Sequence, residues 1–196
     1  MNTKDKIYNT AVEMFGRYGY QGVRIDALVK KAKVNKTTFY YYFESKQEIF
    51  DQVMRESLNY FKDKLTEGLK GCETADEVTT AMLDIMFSRD IKDVQLFTRE
   101  ILEGGENLSD ELYGIMVEVV NIQTAVLSRC NVQDPSFIIY LLVGVSNFYL
   151  SLGVFKQSWM KRSLEYNANS VVNFDETYLK AKIKSVIMKE FSCQGE

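Results

Sequence analysis

The chain has 196 residues, 46% of them hydrophobic, with one proline and no histidine. That composition excludes a disordered polymer, and the missing histidine removes Ser/His and Cys/His nucleophile pairs and the commonest zinc ligand. The net charge of −3 divides unevenly: residues 1–50 carry nine Lys or Arg against five Asp or Glu, a balance of +4, leaving −7 for the remainder. A basic N-terminal quarter either meets a polyanion or reflects chance variation of a solvated surface.

The three cysteines, Cys72, Cys130 and Cys193, are odd in number and far apart. They form neither a disulfide framework nor a metal spacing, and a reducing cytoplasm fits them best. The charged opening MNTKDKIYNT does not read as a signal peptide.

The first predicted helix covers residues 3–18. Ile7, Ala11, Met14, Phe15 and Tyr18 follow its period, Asn2 or Thr3 caps its start and Gly19 ends it. Between Arg24 and Phe43 two short amphipathic helices follow, RIDALVKKA and KTTFYYYF. Ile25, Leu28, Val29 and Ala32 share one face of the former; Phe39 and Phe43, four apart, share one face of the latter. The other face of the second helix shows Lys36, Thr37, Thr38, Tyr40 and Tyr41. A cation, hydroxyls and flat rings on a short helix behind a second short helix suit a helix-turn-helix that enters the DNA major groove.

Ser45 with Glu48 forms a capping box. It opens a helix from about 46 to 70, roughly 37 Å long, with Ile49, Phe50, Val53, Met54, Leu58, Phe61, Leu65 and Leu69 on its apolar side. Thr74 with Glu77 opens another, to about Ser88. Asp90 caps a helix through Ile101 and Leu102, and Ser109 starts one that ends near Asn131. Asp134-Pro135 is an N-cap followed by proline at the first helical position. The helix it opens continues to about Trp159. Residues 163–174 read as a polar connection and 175–192 as a last helix. No strand pattern emerges, so the expected fold is all-α with nine helices.

Phe137 to Phe155 is 19 residues without a charge. That length can span a bilayer, or it can be a helix buried between its own domain and a partner subunit. Ser146, Asn147 and Ser151, and the absence of a cationic cluster flanking its N-terminal end, favour the soluble reading. The twelve Tyr and twelve Phe divide between core and the walls of a ligand cavity. No paired carboxylates, cysteine cluster or glycine-rich phosphate loop stands out, so an enzyme is not expected.

The N-terminal segment resembles the DNA-binding domain of the TetR family of bacterial transcriptional regulators. The residues that carry the resemblance are Ile7, Ala11, Phe15, Gly19-Tyr20, Leu28-Val29, Ala32, Val34, Lys36, Thr38, Tyr40, Tyr42-Phe43, Ser45-Lys46 and Glu48. It covers about residues 3–50; beyond them only the helical layout agrees. Three positions depart from the family pattern. Lys33 stands where glycine is usual before Val34, which implies a different turn geometry or left-handed strain. Asn35 replaces the frequent serine as N-cap, and Arg24 the frequent threonine.

The resemblance implies a helix-turn-helix domain, 1–46, and a helical ligand-binding and dimerisation domain, 47–196. It implies a homodimeric, cytoplasmic regulator that needs no cofactor and inserts no helix in a membrane. The regulator binds a palindromic double-stranded operator through helix 36–42 and is released by a small-molecule effector; repression is the commoner family behaviour and activation the alternative. Lys36, Thr37, Thr38 and Tyr41 are the residues expected at base edges and in the groove. Arg24, Asn35, Tyr40 and Lys46 are those expected at phosphates, with Lys46→Ala flattening the salt dependence by about one unit. Phe97, Glu100, Ile101, Tyr113, Met116 and Phe148 are the expected effector walls, Glu100 being either a partner for a cationic effector or a solvated charge. Gly144, Ser151, Leu179, Ile183, Ile187 and Phe191 are the expected dimer contacts, Gly153 lying on the same helix.

Overall fold

A computed structural model describes residues 2–132, 134–152 and 175–192. Among the described residues there are nine α-helices and no strand. They are α1 (Thr3–Gly22), α2 (Ile25–Ala32), α3 (Lys36–Tyr42), α4 (Lys46–Gly68), α5 (Ala75–Phe87), α6 (Ile91–Leu102), α7 (Asp110–Arg129), α8 (Pro135–Ser151) and α9 (Glu176–Ser192). The expected ends hold to within a few residues. Helix α8 is the exception, ending at Ser151 with Leu152 as its C-cap, before the expected Trp159; residues 153–174, with Gly153 and the connection 163–174, lie outside the described residues, as does the side chain of Phe191.

The chain packs as two units, Met1–Asp63 with Asp90–Val119, and Lys64–Arg89 with Val120–Glu196. This division is not the cut at residue 46 read from the sequence. Helix α6 and the first half of α7 join the N-terminal helices, because α6 lies along α1 over most of its length.

In the first unit Ile7, Ala11 and Phe15 of α1 meet Leu28, Val29 and Ala32 of α2. Phe39, Phe43, Ile49 and Phe50 complete the centre, and Leu96 and Leu112 close it from α6 and α7. Phe50 stands edge-on to Phe15 and to Tyr20, with ring centroids 5.1 and 4.9 Å apart. Asn2 and Asp5 form a reciprocal capping box at the start of α1. Gly19 interrupts α1 with φ +69° and ψ 176°. The positive φ requires glycine, but the extended ψ makes this a kink rather than a left-handed cap. A side chain there would also collide with Arg99 of α6, so the same residue permits the bend and the close approach.

In the second unit α5 packs on α8 and on α9. Val78, Met82 and Met86 of α5 are buried, as are Ile138 and Leu142 of α8 and Ile183 and Ile187 of α9. Ion pairs from Lys180 to Asp84 (3.1 Å) and from Lys184 to Asp76 (2.7 Å) tie α9 to α5. Among the described residues no helix is long and apolar enough to cross a membrane. Two polar residues of α8 are turned to its own unit. Ser146 and Asn147 are buried, and Asn147 Oδ1 accepts a 3.0 Å hydrogen bond from Arg89.

The expected dimer contacts on α9 need correction. Ile183 and Ile187 are 5% and 0% exposed within the protomer, and Leu179 is half-buried. An apolar stripe on a helix does not say which neighbour covers it, and here α5 does. Gly144 and Ser151 are exposed, on an outer stripe of α8 with Phe137, Tyr140 and Phe148.

Candidate nucleic-acid interface

Helix α3 has only seven residues, too short to hold itself by propensity, so its neighbours must fix it. Asn35 caps it. Its Oδ1 accepts from the Thr38 N–H at 2.7 Å and from the Thr38 hydroxyl at 2.8 Å. Phe39, fully buried, anchors its inner face, with Phe43 buried just beyond its end. At its start Lys36 pairs with Asp26 of α2 at 2.9 Å on the open surface, and the bond it donates to Asp26 holds the ammonium pKa above its usual value.

The outer face is left free. Thr37 is exposed, Tyr40 is 47% exposed with its ring edge-on to Phe39, and Tyr41 is 80% exposed. Tyr42 is half-buried and packs against the core. Arg24, the N-cap residue of α2, makes no side-chain capping bond and is exposed. Thus Arg24, Lys36, Thr37, Tyr40 and Tyr41 are accessible, while Asn35 and the Thr38 hydroxyl are occupied with each other.

Lys46 is placed differently. Its ammonium turns inward, donating to the carbonyls of Tyr20 (3.1 Å) and Val23 (3.3 Å), and lies 3.9 Å from the Tyr20 ring centre. Burial pushes its pKa below the usual lysine value. Its geometry ties the start of α4 to the turn between α1 and α2. Of the expected Ser45–Glu48 box one half is present, Ser45 Oγ accepting from the Glu48 N–H at 3.0 Å; the Glu48 carboxylate accepts instead from the N–H of Glu44, one residue before the cap.

The turn between α2 and α3 shows what Lys33 does. It adopts φ 56° and ψ 44°, the left-handed conformation. The Val34 N–H donates to Val29 O (3.0 Å) and the Lys33 N–H to Lys30 O (3.2 Å). This is a Schellman motif with lysine at the glycine position, and Val34 packs against the core cluster to which Val29 belongs. The left-handed strain expected from the sequence is therefore the one realised.

The expected effector walls divide between the two units. Glu100 is fully buried in the first unit, so it is not a solvated charge. Its Oε2 accepts from Asn107 Nδ2 at 3.1 Å, and burial pushes its carboxyl pKa up. Asn107 also receives bonds from Gln21 (3.2 Å) and from Gln47 (2.9 Å). Phe97 and Met116 pack against the core of the same unit, Ile101 is 51% exposed, and the Tyr113 hydroxyl donates to Gly105 O at 3.3 Å. Phe148 is 66% exposed on α8 of the other unit. Sequence reasoning missed the Asn107 network, because no local spacing links residues 21, 47, 100 and 107.

A model of the bacterial regulatory proteins of the tetR family matches residues 7–53, the span that carries α1 to α3 and the start of α4. The chain is 26% identical over 156 residues to the HTH-type transcriptional regulator RutR of Escherichia coli strain K12, covering 74% of this chain and 73% of that protein. It is 26% identical over 116 residues to IcaR of Staphylococcus epidermidis, the negative transcriptional regulator of the biofilm operon icaADBC. That match covers 59% of this chain, and the chain spans about three fifths of its relative, 62%. Among solved structures it is similar to a TetR-family transcriptional regulator from Streptomyces coelicolor, with a TM-score of 0.66, 13% identity and coverage of 99% and 96%. It is also similar to the regulator FadR of Bacillus subtilis in complex with stearoyl-CoA, with a TM-score of 0.63, 19% identity and coverage of 95% and 98%. The structural likenesses establish a shared fold, and these relatives are regulators rather than enzymes.

Proposed function

We propose that this chain, a member of the TetR family of bacterial regulatory proteins, is a homodimeric, effector-responsive repressor of transcription. The observation that carries the reading is α3. It is pinned by Asn35 and Phe39 on one side and leaves Thr37, Tyr40 and Tyr41 open on the other. A short helix held from behind and free in front is what a major-groove reader requires.

In this reading residues 1–46 bind the operator and 47–196 provide the dimer contacts and the effector site. Lys36, Thr37 and Tyr41 meet base edges and the groove walls; Thr38, its hydroxyl engaged by Asn35, contributes its methyl. Arg24 and Tyr40 meet phosphates. Two such helices in a dimer sit about 34 Å or somewhat more apart on a palindrome. The outer stripe of α8, Phe137, Tyr140, Gly144 and Phe148, is the apolar surface that a second copy covers. The effector is a small molecule that binds the DNA-incompetent state better and shifts α4, with a coupling of about 1–3 kcal/mol. Repression agrees with IcaR, a negative regulator. The protein works in the cytoplasm, where operator DNA lies.

Footprinting of the purified protein on fragmented genomic DNA tests this. A protected two-fold symmetric site is expected, lost in Tyr41→Ala. Absence of any site-specific protection across salt concentrations would overturn it.

A further inference from the structure

The strain at Lys33 calls for a cause. A non-glycine residue in the left-handed region is strained, and glycine or asparagine at this position relieves most of that strain. Attraction to the C-terminal dipole of α2 does not explain the choice, because Lys30 and Lys31 already occupy that last turn. Lys33 is exposed and, among the described residues, has no ion pair, unlike Lys31, whose ammonium lies 2.6 Å from Glu13, and Lys36, held by Asp26.

Beside it lies a hollow of about 410 Å³ between α1 and the end of α2. Its lining is Lys6, Asn9, Thr10, Glu13, Lys31, Ala32 and Lys33. Glu13 is its one carboxylate, and Lys31 neutralises it; the bond from Lys31 holds the Glu13 carboxyl below its ordinary pKa. Among the described residues neither Lys6 nor Lys33 has an ion pair, so both stand as uncompensated cations lining the recess, together with Asn9 and with Thr10, whose hydroxyl donates to Lys6 O at 2.7 Å. Lys33 is three residues before Lys36, which starts α3.

We propose that Lys6 and Lys33 flank a second phosphate seat, which takes the DNA backbone beside the groove that α3 enters. This rests on the reading of the chain as a DNA-binding regulator. Lys33 holds a strained backbone because the charge is needed at that point of the turn, where glycine would supply the conformation but no cation. A phosphate contact carries no base information, so it strengthens binding to all sequences alike.

The probe is a duplex of random sequence, about 30 base pairs long, titrated by fluorescence anisotropy between about 50 and 200 mM salt. Lys33→Gly is expected to raise the melting temperature by several degrees while weakening DNA binding. The slope of log K against log salt should fall by about one. Lys33→Asn, a left-handed-tolerant residue without charge, should do the same, and Lys33→Arg should restore the slope. Lys6→Ala should remove about one further unit, independently of the melting temperature. A more stable Lys33→Gly with unchanged affinity and slope overturns the seat but leaves the regulator reading intact. A wild-type protein without salt-dependent DNA binding overturns both.

Discussion

Helices α3 and α8 present opposite problems. Helix α3 buries one of its seven residues, Phe39, and is kept in place by a cap and by its neighbours. Helix α8 buries five residues, Ile138, Ile139, Leu142, Ser146 and Asn147, and still leaves Phe137, Tyr140 and Phe148 outside. What α3 leaves exposed is hydroxyls, a cation and tyrosine rings, suited to a hydrated polyanion. What α8 leaves exposed is apolar and suits another apolar surface. The same rule of burying one face thus leaves two chemically different faces for partners.

The largest expected effect tests how α3 is held. Phe39→Ala should destabilise the protein by about 3–5 kcal/mol in chemical denaturation and abolish DNA binding. A small loss would mean that α3 does not depend on that anchor. Next comes Lys46→Ala, which removes the ammonium donor from the Val23 and Tyr20 carbonyls, the latter still accepting from the Val23 N–H. It should cost about 1–3 kcal/mol of stability and leave the salt slope of DNA binding unchanged. Unchanged stability with a slope lowered by about one would return Lys46 to the phosphate contacts expected from the sequence.

Glu100→Gln probes the buried carboxylate behind the Asn107 network. Burial raises the Glu100 pKa in the folded state, so ionising it opposes folding. The penalty is absent below the unfolded pKa and grows as pH rises from the ordinary carboxylate range through the raised folded value. The variant should therefore be more stable than wild type at pH 8, with the difference closing toward pH ~4. A difference independent of pH would show that Glu100 does not ionise within that window.

The smallest effect on the protomer belongs to α8. Phe148→Ser should change protomer stability by less than about 0.5 kcal/mol, because that ring is mostly exposed, yet weaken self-association in sedimentation. A large loss of protomer stability would make that face part of the core and erase the contrast with α3.

Much of the N-terminal half of this comparison was legible beforehand. Helix starts at Asn2, Asn35, Ser45, Thr74, Asp90 and Asp134 follow from side chains that accept from their own next turn. Those contacts span two to three residues, and spacing encodes them. The buried face of α3 followed from the interval between Phe39 and Phe43. The direction of Lys46 did not, because its partners lie 23 and 26 residues away.

The second unit was less legible for a related reason. The stripe of Ile183 and Ile187 is a correct reading of amphipathicity, but periodicity gives a face and not its neighbour. Likewise Asn147 read as a polar residue that argues against a membrane, whereas its bond to Arg89 arises from α8 meeting the end of α5.

By itself, then, the order of residues determined the nine helices of the described residues, their caps and the helix-turn-helix pattern, and narrowed the turn at Lys33 to a different geometry or left-handed strain, since all of these are encoded in spacings of a few residues. Tertiary structure alone decided that α6 packs with the N-terminal helices and that Glu100 is buried with Asn107. It also decided that α9 spends its apolar stripe on α5 and that Lys46 faces inward. Those outcomes join residues 7 to more than 80 positions apart, and only the packed chain selects among such pairings.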